Sequence, residues 1–297
     1  MATSISSRRG VLGVDSVATV GGVYDALARG KDHYVLEEEI ACRLAAVVPG
    51  GADGSQALVA DQRGFARRAL AMMVSQCWVE QIVVCGADLT MGESLFTFAW
   101  QNTPPGSDRP RIVVLDDNAT AVAHALTHVT GDDPATAITV DLTNPDAALE
   151  HPDLWYHLDP CKPLGLLHCW RLPHLHSNGQ PMAEHVMRRW TELLPENSVI
   201  AASHLCRPDH DDDLAHAARQ TAAVFSASEL RAGVFLPPDE IKGLFYDWEL
   251  IPSAAGVASE VVPCAKFWPH GPRLMPSPTE PLVMGGLARK GAPLPVC

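Results

Sequence analysis

Apolar residues recur at helical spacing in the first quarter of the chain and condense into short continuous runs after it. Val23 and Leu27 lie a turn apart, and Leu36, Ile40, Leu44 and Val47 make a second row, the 3.6-residue periodicity of half-buried helices. Gly30 interrupts the pattern, so Arg29-Gly30-Lys31-Asp32 reads as a turn between two helices. Residues 49–55 read as a loop, and 63–74 as a third helix with Phe65, Ala69, Met72 and Met73 on its apolar face. From residue 79 onward, strands are expected at 81–85, 112–115, 137–140, 164–168, 198–203, 248–251, and at either 266–268 or 282–287. Continuous apolar strands separated by helices predict a parallel sheet covered on both faces, a doubly wound α/β fold. Pro237-Pro238-Asp239-Glu240 opens a further helix, with Ile241, Leu244 and Phe245 as its buried stripe.

The composition supports a packed domain: 297 residues, 47% hydrophobic and 19% charged. With 22 basic and 35 acidic residues the net charge is −13, which gives no electrostatic footprint for nucleic acid or an anionic membrane. No apolar run is long enough to span a bilayer. Eight cysteines without a C-x-x-C pair read as buried free thiols in a reducing cytoplasm. Ser7-Arg8-Arg9-Gly10-Val11-Leu12 has the look of a twin-arginine export signal, but Asp15 interrupts the apolar stretch and no small-residue cleavage site comes after it. The segment is read as a mobile tail and the chain as cytoplasmic.

Ligands of doubly wound sheets bind at the carboxyl ends of the strands. The first strand ends at Gly86-Ala87-Asp88, and Thr90 with Glu93 suits a capping box for the next helix. The second ends in Asp116-Asp117, where an acid can accept from both ribose hydroxyls of a nucleoside. Asp117 or Asn118 can cap the following helix and leave Asp116 free for that role. The third ends at Asp141-Leu142, an acid placed to meet an adenine edge.

The chain resembles a large S-adenosyl methyltransferase family of actinobacteria over roughly residues 20–290. The family's V-Y-D-x-L-L-G-G-K-D-N-F opening is matched by Val23-Tyr24-Asp25 through Gly30-Lys31-Asp32-His33-Tyr34, and its N-R-x-F-x-R-R-A helix by Gln62-Arg63-Gly64-Phe65-Ala66-Arg67-Arg68-Ala69. Its V-D-N-D-P segment is resembled by Leu115-Asp116-Asp117-Asn118-Ala119, and its L-S-H by Ala202-Ser203-His204. The resemblance implies a Rossmann-like class I methyltransferase sheet (76–291) behind an N-terminal helical cap (20–75), with tails at 1–19 and 292–297. It implies S-adenosylmethionine as cofactor, a cap closing over it through Tyr24 and Lys31, and contacts from Gly86, Ala87, Asp88, Asp116, Asp117, Asp141 and Leu142. The family's D-I-G-T-G motif is altered here to Val84-Cys85-Gly86-Ala87-Asp88. Asp88 is therefore the candidate for the acid that the motif otherwise supplies.

Methyl transfer needs proximity and a nucleophile that can lose its proton. His168, His174 and His204 are the candidate bases, since imidazole titrates near neutrality. The cluster around His168, Cys169, His174 and His176 lacks a recognised zinc spacing, and Asp209 to Asp213 reads as a solvated acidic loop. The expected partner is a small-molecule acceptor; a homodimer is left open. Two competing readings remain: a repurposed cofactor site that catalyses cyclisation or rearrangement, and a binding protein without catalysis.

Overall fold

The structure is a computed structural model, and it describes residues 17–87, 95–231, 233–268 and 276–291. Three helices open it: α1 (Val20–Leu27), α2 (Val35–Ala45) and α3 (Gly51–Ser75). Strands and helices then alternate through β1 (Gln81–Cys85), α4 (Leu95–Gln101), β2 (Arg111–Asp116), α5 (Ala119–Leu126), β3 (Ala135–Thr139), the short α6 (Pro145–Glu150) and α7 (Pro152–His157), and β4 (Gly165–His168). A hairpin of β5 (His176–Ser177) and β6 (Gln180–Pro181) leads to α8 (Ala183–Leu193), β7 (Val199–Leu205), α9 (Asp212–Ser226) and α10 (Pro238–Gly243). β8 (Glu249–Leu250), β9 (Val262–Pro263) and β10 (Val283–Arg289) complete the order.

The main sheet runs β3-β2-β1-β4-β7-β10-β8, with β9 also paired to β10. The five strands from β3 to β7 are parallel, and β10 returns antiparallel along β7, pairing Val283 with Leu205 and Arg289 with Val199. Alternation along each strand sends successive side chains to opposite faces. Val84, Leu167 and Ala201 pack with Phe65 of α3, while Val83, Leu166 and Ile200 pack with Trp190 of α8 and Phe245.

Two acids build the first helical turns. Asp25 is fully buried; its Oδ2 accepts from the Asp32 amide at 2.8 Å and pairs with His33 Nδ1 at 2.6 Å. Glu37 accepts from the Thr19 amide and hydroxyl with one oxygen and from the Tyr34 amide with the other. These bonds fold residues 28–34 back over α1. A Cβ on Gly30 would sit 1.8 Å from Asp25 Oδ1, so the turn closes only around a glycine.

Three sequence expectations need correction. α3 begins at Gly51, not at residue 63, and takes in most of the loop expected at 49–55. Gly54 lies so close to the Pro49 carbonyl that a Cβ would reach 1.8 Å, and burial of Leu58 and Val59 stabilises the extra turns, so packing overrides glycine's poor propensity. Residues 264–266 form a 3₁₀ turn, which leaves 283–289 as the strand. The acidic run after β7 is partly a helix start, because Asp211 caps α9 by accepting from the Leu214 amide at 2.9 Å. Of the seven cysteines described as free, Cys42 and Cys161 are exposed and the rest buried.

Gly30→Ala should cost about 1–3 kcal/mol through forced overpacking against Asp25. Gly243→Ala, where an added methyl meets nothing within 4 Å, should be neutral or slightly stabilising. Urea unfolding of both variants checks this, and equal midpoints would refute the tight-turn account.

Candidate functional site

The chain runs from β1 outward to β2 and β3, then returns to the other side of β1 as β4. That reversal opens the crevice where doubly wound folds bind ligands. Around it stand the tips of β1 at Gly86, β2 at Asp116, β3 at Asp141 just beyond Thr139, and β4 at Cys169-Trp170-Arg171.

Gly86 has φ +96° and donates its amide to the Leu115 carbonyl at 2.7 Å, tying β1 to β2 past the end of the ladder. Trp170 Nε1 donates to the Gly86 carbonyl at 3.1 Å. An added Cβ on Gly86 would meet Arg171 Cγ at 2.3 Å and Trp170 Nε1 at 2.7 Å. The glycine is thus required by side chains of this chain that lie directly over it.

Asp116 is 1% exposed. Its Oδ2 accepts from the Ala87 amide at 2.7 Å and its Oδ1 from the Asn118 amide at 2.8 Å. Burial raises its pKa, opposed chiefly by the nearby Arg171 cation. Asn118 caps α5, accepting from the Thr120 amide, so Asp116 is relieved of capping but already holds two amides. Asp117 is exposed and receives Arg171 Nη2 at 2.5 and 2.6 Å. Asp141 is also exposed and holds the Thr143 amide and hydroxyl. Leu142 is buried among core residues, and Lys31 is exposed, bonded to no described residue. Asp88, Thr90 and Glu93 lie outside the described residues.

On the helical side, Tyr24 Oη and His174 Nε2 are hydrogen-bonded at 3.1 Å. Gln62 donates Nε2 to the Cys169 carbonyl at 2.7 Å. The space enclosed by Tyr24, Gln62, Arg63, Ala87, Trp170 and Arg171 is about 10 Å³, room for about one water.

The three histidines separate. His168 and His204 are fully buried and face the α8 side of the sheet with Leu166 and Ala202. Neither His168 nitrogen has a partner, and His204 has only the Leu205 carbonyl at Nδ1. Burial pushes His168 down to about 3, with help from Arg171 and His204, and His204 down to about 4. His174 lies on the Tyr24 side, edge-on to both Tyr24 and Phe225. Sequence reasoning missed Trp170 and Arg171 as site residues. Their signal was position: they come directly after the β4 tip, opposite a glycine that must stay bare.

Residues 13–291 match a family described as S-adenosyl methyltransferase. The chain belongs to that family, and S-adenosylmethionine is its cofactor. No curated protein matches the chain. Among solved structures, a Thermobifida fusca YX protein provisionally described as a methyltransferase is 23% identical, with 92% of this chain and 95% of that one covered at TM-score 0.78. A DUF574 family protein from Streptomyces avermitilis MA-4680 is 19% identical, with 93% and 98% covered at TM-score 0.77. Both likenesses show the fold: an eight-stranded, mostly parallel Rossmann-like sheet.

The crevice fits a nucleoside cofactor in kind, with a bare glycine turn and carboxylates on the next two strand tips. On the side of Trp170 and Arg171 these two side chains cover the ground above Gly86, and the space beside them, bounded by Tyr24, Gln62 and Ala87, holds about one water.

His168 and His204 also make stability pH-dependent. Each is neutral in the fold, while an unfolded histidine titrates near 6.5. Their contribution is therefore intact above that value and falls as pH drops from about 6.5 toward 3–4. Between pH 7 and pH 5 each should cost about 2 kcal/mol. His168→Leu should remove about that much of the pH 7-to-5 difference in urea stability; an unchanged difference would mean that His168 is protonated in the fold.

Proposed function

We propose that the protein transfers a methyl group from S-adenosylmethionine to a small-molecule acceptor. The observation that carries this reading is the alignment of Gly86, Asp116 and Asp141 on three adjacent strand tips beside the reversal in strand order. When bound, the cofactor supplies an electrophilic methyl group on a sulfonium. Asp116 has further lone pairs for the ribose hydroxyls, Asp141 an exposed carboxylate for the adenine amino group, and Gly86 and Ala87 the backbone of the turn. Asp117 acts indirectly, by holding Arg171. Leu142 packs beneath the β3 tip, and Asp88 takes the amino end of the cofactor. Lys31 is assigned the closing contact of the cap, with Tyr24 beside the crevice at its base.

His174 is the base of choice among the three candidates. His168 and His204 face the opposite layer and border no described cavity. His174 Nε2 already shares a proton with Tyr24 Oη, so a hydroxyl entering beside Tyr24 can pass its proton along that bond. The acidic surface and the absence of a basic stripe favour a small acceptor over nucleic acid, and a cytoplasmic location goes with the free thiols. The covered Gly86 also supports a second reading, a binding protein that has given up the cofactor.

Calorimetry with S-adenosylmethionine separates the two: methyl transfer requires binding, the second reading none. Asp116→Asn should weaken cofactor binding at least tenfold, since it replaces a charge-assisted acceptor, with the circular dichroism unchanged. Undiminished affinity would remove Asp116 from the site. His174→Gln should lower turnover, read as mass gain of one methyl on the acceptor, and abolish the acidic limb of its pH profile; an unaltered profile would exclude His174.

A further inference from the structure

A cavity of about 350 Å³ opens where the segments after β4 and β7 meet α9, a volume suited to a small organic molecule. His176, Arg207, Arg219 and Arg231 line it, and among the described residues its lining contains no aspartate or glutamate. In a chain of net charge −13 that concentration is anomalous. Several arginines elsewhere are matched with acids: Arg29 with Asp53, Arg109 with Asp133, Arg171 with Asp117, Arg189 with Asp146. Arg207, Arg219 and Arg231 make no side-chain hydrogen bond or ion pair with a described residue. Between them Phe235, Val234, Ala218 and Ala222 supply an apolar wall.

The frame is fixed by the backbone. The Arg207 amide donates to the Leu236 carbonyl at 2.9 Å and the Leu236 amide to the Leu205 carbonyl at 3.1 Å, a parallel bridge between Cys206 and Leu236 that sends Arg207 and Phe235 to one face. The Val234 amide donates to the Pro173 carbonyl at 2.9 Å, and a Cβ on Gly233 would lie 2.3 Å from the Phe225 ring, so this strip is pressed against α9. His176 Nδ1 donates to the His174 carbonyl at 3.0 Å, which orients its ring. Arg231 holds a left-handed backbone at φ +56°, rare for a side chain of its size.

We infer that this cavity binds a small organic anion, its carboxylate or phosphate held by the arginine forks and its apolar body laid on Phe235 and Val234. Guanidinium pairs both groups bidentately. The cavity stands at the carboxyl edge of the sheet, and an edge-to-face run of Phe225, His174 and Tyr24 leads from behind Gly233 toward the Gly86 crevice, with centroid separations of 4.9 and 5.6 Å. A larger cavity of about 560 Å³, lined by residues 103–111 and Glu80, sits at the opposite, amino-terminal edge, where such folds do not place their substrates. That the bound anion is the methyl acceptor rests on the methyl-transfer reading; that the cavity takes an anion does not.

Calorimetry on the full chain without cofactor tests it, using benzoate, phenyl phosphate and the neutral benzamide as probes. At least one anion should bind tenfold or more tighter than benzamide, weaken in 0.5 M salt (roughly the range where the screening length drops to several ångströms), and lose at least tenfold in Arg207→Gln. Whichever anion binds tighter assigns the carboxylate or phosphate class. Arg219→Gln, on the exposed face of α9, gives the same readout should Arg207→Gln fail to fold. Anions no better than benzamide, or affinity untouched by both substitutions, would overturn the site. Anion binding by a chain that fails to bind S-adenosylmethionine in the same calorimeter would leave the site standing and remove the methyl-transfer reading instead.

Discussion

The carboxyl edge of this sheet depends on one buried carboxylate. Asp116 holds the amide of Ala87 across from β1 and the amide of Asn118 in its own turn, so a single side chain fixes where both strands end. A buried carboxylate left unpaired would be costly. The two amides and the neighbouring Arg171 cation offset that cost. The Gly86 turn, the cap of α5 and the position of Trp170 over Gly86 are set by this arrangement. A residue readable as a ribose acceptor is therefore also the fastener of the crevice, and its two duties draw on the same oxygens.

The helices before the sheet are fastened in the same way. Asp25 and Glu37 are buried: Asp25 commits Oδ2 to the Asp32 amide and the His33 ring, and Glu37 commits its two oxygens to Thr19 and Tyr34. The conspicuous V-Y-D and G-K-D residues at the start of the chain thus have structural work: Asp25 folds the turn and Gly30 makes room for it. Tyr24 of that signature borders the space beside the crevice, and Lys31 is exposed to solvent. A contiguous motif in sequence is thus split between residues that fasten the turn and residues left free of that work.

The strands were legible because each is a continuous apolar run, and β1 falls at its expected bounds, residues 81–85. The acids at the tips of β2 and β3 were legible for the same reason, since the end of a strand fixes the place of the residues just beyond it. The start of α3 was not: Gly50, Gly51 and Gly54 signal a loop locally, and only contacts with Pro49 and Thr279 explain the helix. The histidines show a second limit. His168, His174 and His204 look alike in sequence, but strand alternation puts the first and last on one face, and the turn after β4 brings the third to the other. The arginines around Phe235 come from the segment after β7, from α9 and from the stretch that follows α9, so no spacing along the chain announces them.

Displacing the side chains that cover Gly86 has electrostatic terms of its own. Arg171 is only 11% exposed in its side chain and balances both Asp117, by direct contact, and Asp116, by proximity. Moving it away leaves two neighbouring carboxylates without their cation, and the penalty is largest for the buried one. A neutral or anionic ligand entering beside Asp116 would have to bear that penalty. A ligand carrying its own positive charge replaces the guanidinium and keeps the balance, and a sulfonium cofactor with an α-ammonium group is such a ligand. Trp170 adds a different term: its indole leaves a hydrogen bond to the Gly86 carbonyl when it moves, and that carbonyl then needs a new donor. Charge replacement at Arg171 and donor replacement at Gly86 are thus the two terms that a ligand displacing these side chains would meet, and a cation that also brings hydrogen-bond donors meets both.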